Sequence, residues 1–404
     1  MTKVIRNHVT DLRGVSRMFV DAVCGGTALV EAMHTNIARK PMRFAGVSAG
    51  DALSDATAMV YKSIGGITRA VGGGIDVALQ AVAPVLGHIE SSRARDAVVA
   101  ALNGVLGDYL AETGNPLAVS MRLRREGKPL ELTRDGLAAE IRMPSSKVLI
   151  LVHGLCCSDR RWERAGHDHG AELARDLCCT VLHLHYNTGL HISANGRAFA
   201  RLLEKLVAAW PVPLREVSIL AHSMGGLVAR SAHHHASEAG HAWPRKLRKL
   251  VFLGTPHQGV PLERAGHWFE LLLDKTAYTA PFTALGRMRS AGIMDLRHGC
   301  VLEEHRKGRD PSANRSDSCR SLPLPGRVQC YTIAAMIGNA PSPHRDQFIG
   351  DGLVPVASAL GHHPDSRRRL AFPRAHQWTA AGTSHLGLLN SGQVYERIRG
   401  WLGE

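Results

Sequence analysis

Between Lys147 and Leu253 the chain alternates short apolar runs with segments of helical period, and this alternation narrows the fold more than any other feature. The runs are Val148 to Val152, Thr180 to Tyr186, a strand ending at Ala221, and Leu250-Val251-Phe252-Leu253. Helices are predicted near Trp162 to Leu177, over Gly196 to Trp210, and directly after Ser223. Repeated strand-helix units place each helix as a crossover between parallel strands, so helices cover both faces of the sheet. The prediction is an α/β fold with a mostly parallel, doubly wound sheet. Val119 to Leu123 and Leu130-Glu131-Leu132, joined by Glu126-Gly127-Lys128, read as an antiparallel opening hairpin. Later strands are predicted at Val328 to Ala335 and Arg369 to Phe372, with a terminal helix through Tyr395 and Trp401.

The segment before that pattern reads differently. Residues 1 to 115 carry apolar residues at three- and four-residue steps over Val20 to Ile37 and Ala97 to Ala111, with glycines between and almost no strand signal. Two parts follow: a helical N-terminal region, 1–115, and an α/β domain, 116–404. Within the second, about 70 residues between Gly259 and Val328 lack a clear strand. They combine an amphipathic stretch (Trp268, Phe269, Leu271, Leu272, Leu273) with a charged, Ser- and Pro-rich run from Glu303 to Pro325. An insertion of that length above the strand ends, 259–327, is expected to act as a lid.

Chemistry enters at Ala221-His222-Ser223-Met224-Gly225-Gly226, where the apolar run Val217, Ile219, Leu220 stops and a helix begins. A serine hydroxyl is a weak nucleophile unless the backbone lifts it clear and a base stands beside it. A sharp strand-to-helix turn does the lifting, provided the residues two before and two after the serine are small. Ala221 and Gly225 meet that condition. Upstream, the run 147–152 leads straight into His153-Gly154-Leu155, which suits a loop donating a backbone N–H to an oxyanion. With Met224, the residue after the serine, Leu155 is the expected donor pair.

The base must follow an acid in chain order if the serine is to work in this architecture. Gly350-Asp351-Gly352 places a carboxylate between two turn-forming glycines, and Asp351 is preferred to Asp346, whose neighbours His344 and Arg345 supply no such turn. A turn aspartate bonded to its own backbone is the structural alternative for Asp351. With 23 histidines, abundance chooses nothing. Order leaves His362, His363, His376 and His385, of which His385 lies in a short loop after the last strand signal and before the terminal helix. Ser223, His385 and Asp351 are therefore the expected nucleophile, base and orienting acid.

Taken together, His153-Gly154-Leu155, Ala221 to Gly226, Gly254-Thr255-Pro256-His257, Gly350-Asp351-Gly352 and Ser384-His385-Leu386 resemble the α/β-hydrolase superfamily, in its lipase and esterase branch. The resemblance covers roughly residues 116 to 404, and Thr-Pro-His-x-Gly is similar to triacylglycerol lipases and inositol-deacylase-like hydrolases. Alanine at position 221 replaces the commoner glycine. The resemblance implies hydrolysis of carboxylic esters through an acyl-enzyme, with apolar acyl esters or lipids as substrates and no cofactor. An acyltransferase or thioesterase would use the same residues, and a non-catalytic binding protein on this fold is the alternative from another class.

Composition excludes other classes. The formal charge of +14 is scattered, with no finger spacing, RNA-binding aromatic signature or basic tail, so nucleic acid is not an expected partner. The first residues lack the apolar core of a secretory signal, and the most apolar window, near Ile64 to Leu86, is interrupted by Arg69 and Asp76. A cytoplasmic protein is expected. Peripheral membrane docking through the N-terminal helices is an alternative to their packing on the hydrolase domain. The eight cysteines lack metal-finger spacing and read as reduced thiols, with a Cys300 to Cys319 bridge as the alternative. His183-x-His185, His167-Asp168-His169 and His233-His234-His235 invite a metal reading, but no carboxylate at diagnostic spacing accompanies them, and no metal is expected.

Overall fold

The computed structural model describes Gly14 and residues 93–260, 290–305, 321–338 and 350–404. The first helix with described bounds, α1 (Arg93–Glu112), precedes a hairpin of β1 (Arg122–Arg125) and β2 (Lys128–Pro129), then α2 (Arg134–Glu140) and β3 (Lys147–Val152). A two-stranded ribbon, β4 (Glu163–Arg164) and β5 (His167–Asp168), leads to α3 (His169–Asp176). Next come β6 (Thr180–His185), α4 (Ile192–Ala209), β7 (Glu216–His222), α5 (Met224–Glu238) and β8 (Leu247–Leu253). The remainder is α6 (Ala291–His298), β9 (Gln329–Met336), the single turn α7 (Val356–Ala359), β10 (Gln377–Ala381) and α8 (Gly392–Gly403).

Eight strands form one sheet in the order β10-β9-β8-β7-β3-β6-β1-β2. The six from β10 to β6 are parallel, and β1 and β2 continue the sheet antiparallel. All five residues of β3 after Lys147 are buried, as a central strand covered on both faces requires. From β3 the chain crosses to β6 on one side, then returns to β7 on the other. The loops after β3 and β7 thus flank the point where the winding reverses, the crevice in which open α/β sheets bind ligands.

The sheet belongs to a compact unit of Arg93–Ala111 and Ala118–Glu404. Helix α1, expected from its periodicity at 97–111, packs in that unit through small residues. A methyl group on Gly104 would fall 2.2 Å from Cys156 Sγ, and one on Gly107 would meet Asn187 Oδ1. Asn187 Nδ2 donates to the Gly107 carbonyl at 2.8 Å. Ala101, Val105, Leu106 and Leu110 are buried, each larger side chain contributing about 1.5–3 kcal/mol. In the second unit, Met1–Ser92 with Glu112–Leu117, Asn115 Nδ2 donates to the Gly14 carbonyl and its Oδ1 accepts from Leu117 N. The helix predicted over Val20 to Ile37 lies outside the described residues.

Three elements differ from the sequence expectation. The hairpin is displaced and shortened to 122–125 and 128–129, because Glu126 and Gly127 both take positive φ (52° and 77°), the two-residue turn that suits strand twist. Pairing of Leu123 with Leu184 on β6 fixes its register. The helix expected from Trp162 is interrupted at Ala165 and Gly166, again both at positive φ. It starts only at His169, where Asp168 Oδ1 accepts from Gly170 N and Ala171 N. The last strand is Gln377–Ala381 rather than 369–372. Leu370 and Phe372 are buried but end at Pro373, whereas β10 is a half-polar edge strand whose apolar signal is weak.

Of the insertion expected at 259–327, residues 259–260, 290–305 and 321–327 are described. Helix α6 is capped by Ser290 and stops at Gly299, whose φ is +65°. The stretch around Trp268 to Leu273 lies outside the described residues. No described helix is long and apolar enough to cross a membrane.

Candidate active site

Ser223 follows the last residue of β7 and stands at φ 55°, ψ −128°, a backbone region costly for a side-chain-bearing residue and held only by its surroundings. Those surroundings are specific. Ser223 N donates to the Leu253 carbonyl at 2.8 Å, and Gly226 N donates to the Ser223 carbonyl at 3.0 Å. A methyl group on Gly225 would come within 2.6 Å of the His153 carbonyl oxygen and 2.7 Å of the Val152 one. The small residue is therefore required by the end of β3, not only by Ala221. Gly226 is equally constrained, since a methyl group there would meet Thr255 Oγ1 at 2.1 Å. Ser223 is 1% exposed, and its Oγ makes no hydrogen bond.

The loop after β3 lies against this turn. A methyl group on Gly154 would stand 2.9 Å from Ser223 Cβ. His153 closes the loop: its ring stacks on Tyr186 with centroids 4.5 Å apart, its Nδ1 lies 3.0 Å from the Gly154 carbonyl, and its own carbonyl accepts from Tyr186 Oη at 2.8 Å. The amides of Cys156 and Cys157 are engaged, by Thr188 Oγ1 and the Gly154 carbonyl. Leu155, which precedes them in the chain, is buried. Met224 is the first residue of α5, so its N–H has no acceptor within the helix.

Asp351 and His385 meet as the sequence predicts. Asp351 Oδ2 lies 2.7 Å from His385 Nδ1, and both side chains are almost wholly buried. The other oxygen, Oδ1, accepts from Leu353 N at 2.9 Å and Val354 N at 2.7 Å. The turn aspartate and the His partner are therefore one and the same residue. Gly350 and Gly352 have φ of +52° and +97°, and at Gly350 any side chain would strike the Val354 carbonyl. His385 N in turn donates to the Asp351 carbonyl at 3.0 Å, locking the two loops in register. Asp346 lies outside the described residues.

His385 is seated beside the serine turn by two residues that sequence reasoning did not single out. The His222 ring packs 4.6 Å from the His385 ring, and its Nε2 is 3.2 Å from the His385 carbonyl. Gly254, at φ +54°, leaves room for the imidazole: a methyl group would lie 3.1 Å from its Cε1 and Nδ1. Both belong to motifs visible in the chain, Ala-His-Ser and Gly-Thr-Pro-His. Only the fold shows that they face His385. Ser223, Leu155, Asp351 and His385 all follow the carboxyl ends of parallel strands.

Behind the β3 loop lies a buried ionic cluster that absorbs one of the suspected metal motifs. Asp159 Oδ1 is 3.0 Å from both His185 Nδ1 and Arg124 Nη1, and Asp96 Oδ2 is 2.9 Å from Arg160 Nε. The 167–169 motif is likewise engaged: His167 Nδ1 lies 3.0 Å from Glu172, and His169 Nε2 lies 2.9 Å from the Leu388 carbonyl. The third motif gives three ligand atoms within 4.8 Å of one another, from His234, His235 and Glu238. They lie on the last turns of α5, where Glu238 already pairs with both imidazoles. Cys319 lies outside the described residues.

Several buried histidines make the unit acid-sensitive. Burial pushes His153 down to about 3 and His169 to about 4, so both stay neutral in the fold, while in the unfolded chain they protonate near 6.5. Below pH 6.5 the unfolded chain thus binds more protons, and stability falls with pH until the folded values are reached. The two together cost about 3–4 kcal/mol between pH 6.5 and 5. The thermal midpoint is expected to drop ever more steeply below pH 6.5. A midpoint level from pH 7 to 5 would contradict this.

A parallel sheet wound from β3 in both directions, an antiparallel start, a serine on the turn after the strand beside the switch point, and an Asp–His pair on the last two strand ends define the α/β-hydrolase fold. The chain has that fold. Residues 125–296 match the model of a family described as a domain of unknown function, DUF7379. No curated protein matches the chain. Among solved structures, the mature Bacillus licheniformis lipase BlEst2 is 17% identical over 70% of this chain and 97% of its own, with a TM-score of 0.42. Aspergillus fumigatus lipase B is 13% identical over 70% and 55%, TM-score 0.37. Legionella pneumophila phospholipase PlaB is 14% identical over 62% and 56%, TM-score 0.39. At such scores these likenesses decide nothing, and the fold is established by the strand order itself.

Proposed function

We propose that the chain is a serine hydrolase of carboxylic esters, and the observation that carries this reading is the buried Asp351–His385 contact beside a serine on a strained turn. Ser223 Oγ attacks the acyl carbon while His385 Nε2 takes its proton. Asp351 holds the imidazole in the tautomer with hydrogen on Nδ1 and stabilises the cation that forms. The amides of Leu155 and Met224 receive the oxyanion, at a site shielded from water where such donors are most effective. His385 then protonates the leaving alcohol, water attacks the acyl-enzyme with His385 again as base, and the carboxylic acid departs with Ser223 restored.

Apolar acyl groups are the proposed substrates, on the strength of the Trp268 to Leu273 stretch in the insertion. A fluorophosphonate probe should label the native chain at a single serine. p-Nitrophenyl esters of increasing acyl length should be turned over with a kcat/KM that rises from acetate to medium chains. Failure to label and to hydrolyse any ester would overturn the reading.

A further inference from the structure

Arg230 is a buried charge that the proposed ester chemistry does not use. It lies on α5, two turns beyond Ser223, and is 2% exposed. No carboxylate stands within ion-pair distance of it among the described residues. Its acceptors are all neutral: Nη1 lies 3.4 Å from His257 Nδ1, and Nη2 donates to Ser321 Oγ and the Leu322 carbonyl. Burial lowers its pKa to about 10, so it remains a cation at neutral pH. A buried cation without a counter-charge is among the costliest arrangements a fold can hold.

The neighbouring imidazole adds a second unmet demand. A guanidinium can only donate, so His257 Nδ1 must accept, and the ring proton resides on Nε2. Burial and the adjacent Arg230 keep His257 neutral. His257 Nε2 and Arg230 Nε are then two buried N–H donors with no acceptor. Both residues line one small cavity of about 10 Å³, together with Gln258, Arg368, His298, His305 and Ser321. No acidic side chain is among its described lining residues.

We propose that this cavity binds a single small monovalent anion of the halide class, accepting from Arg230 Nε and His257 Nε2. A volume near 10 Å³ is at the lower limit for a single water-sized occupant, so a halide, somewhat larger than water, is seated only if the long Arg230 and Arg368 side chains give way, and polyatomic anions such as phosphate and sulfate fit far less well. A water molecule would satisfy donors but leave the charge uncompensated. The anion ties α5 to the Gly254–Gly259 loop, whose Thr255 packs on Gly226 and whose Gly254 borders His385. Its effect is accordingly on the stability of the unit, independent of which ester is cleaved.

The full chain, dialysed into sodium gluconate, is titrated with sodium chloride at fixed ionic strength. Thermal unfolding should show a saturable rise in midpoint, about 5 °C at 100 times the dissociation constant, with bromide replacing chloride and sulfate giving no rise. The chloride-35 resonance should broaden in the presence of the protein and sharpen on adding bromide. Arg230→Met, close in volume, should abolish both responses. Equal midpoints in chloride and gluconate would overturn the proposal, as would undiminished broadening with Arg230→Met. Should that variant not fold, the native chain decides alone: a chloride resonance that bromide does not sharpen overturns the site.

Discussion

Ser223→Ala is expected to lower kcat for ester hydrolysis by about four to six orders of magnitude and to abolish fluorophosphonate labelling, with the fold intact. The size of the loss follows from the proposed covalent route: without Oγ there is no acyl-enzyme, and only the oxyanion donors and binding remain. The preserved fold follows from the contacts of the serine. Its backbone, at φ 55°, is held by Leu253 and Gly226 through main-chain atoms that alanine retains. Its Oγ makes no hydrogen bond, so removal leaves no orphaned partner, and stability should change by less than about 0.5 kcal/mol. The paired measurement is kcat for a p-nitrophenyl ester and the thermal midpoint. A variant that still labels would remove Ser223 from the mechanism; one that unfolds would show the hydroxyl to be structural.

Most of the candidate site's geometry is legible in the sequence because the residues concerned carry a backbone signature as well as a chemical one. Gly350 and Gly352 announce a turn, and the turn points Asp351 at His385. Gly225 announces a close approach, although the approach is to the Val152 and His153 carbonyls. The parallel centre of the sheet is legible for a related reason: β3 and the carboxyl-terminal halves of β7 and β8 are buried on both faces and read as short apolar runs. The misread elements are those whose side chains are half-polar and whose positions are set by tertiary partners. Strand β10 pairs with β9 from Gln377 to Ala381 with only Trp378 and the alanines as apolar signal. The helix expected from 162 is broken by a positive φ at Ala165, a residue with no intrinsic preference for it. The part played by His222 and Gly254 has no local signature, because each acts on another loop, 130 or more residues away in sequence.

Replacing Asp351 by asparagine rather than alanine separates its two functions. Oδ1 caps the turn by accepting from Leu353 N and Val354 N, and Oδ2 orients His385 at 2.7 Å. An asparagine carbonyl can take the place of Oδ1 and keep the turn. Its amide then faces His385 Nδ1 as a donor, so that nitrogen must accept and the ring proton moves to Nε2, the atom that receives the serine proton on the proposed route. The expected result for Asp351→Asn is a kcat lowered by about four orders of magnitude, a KM changed little, and a thermal midpoint near native. Asp351→Ala should lose activity to a similar degree but also stability, by about 1–3 kcal/mol for the buried amides left without an acceptor. Were Asp346 the acid, Asp351→Asn would retain activity. If both variants lost stability equally while the asparagine enzyme remained active, Asp351 would be a turn residue and nothing more.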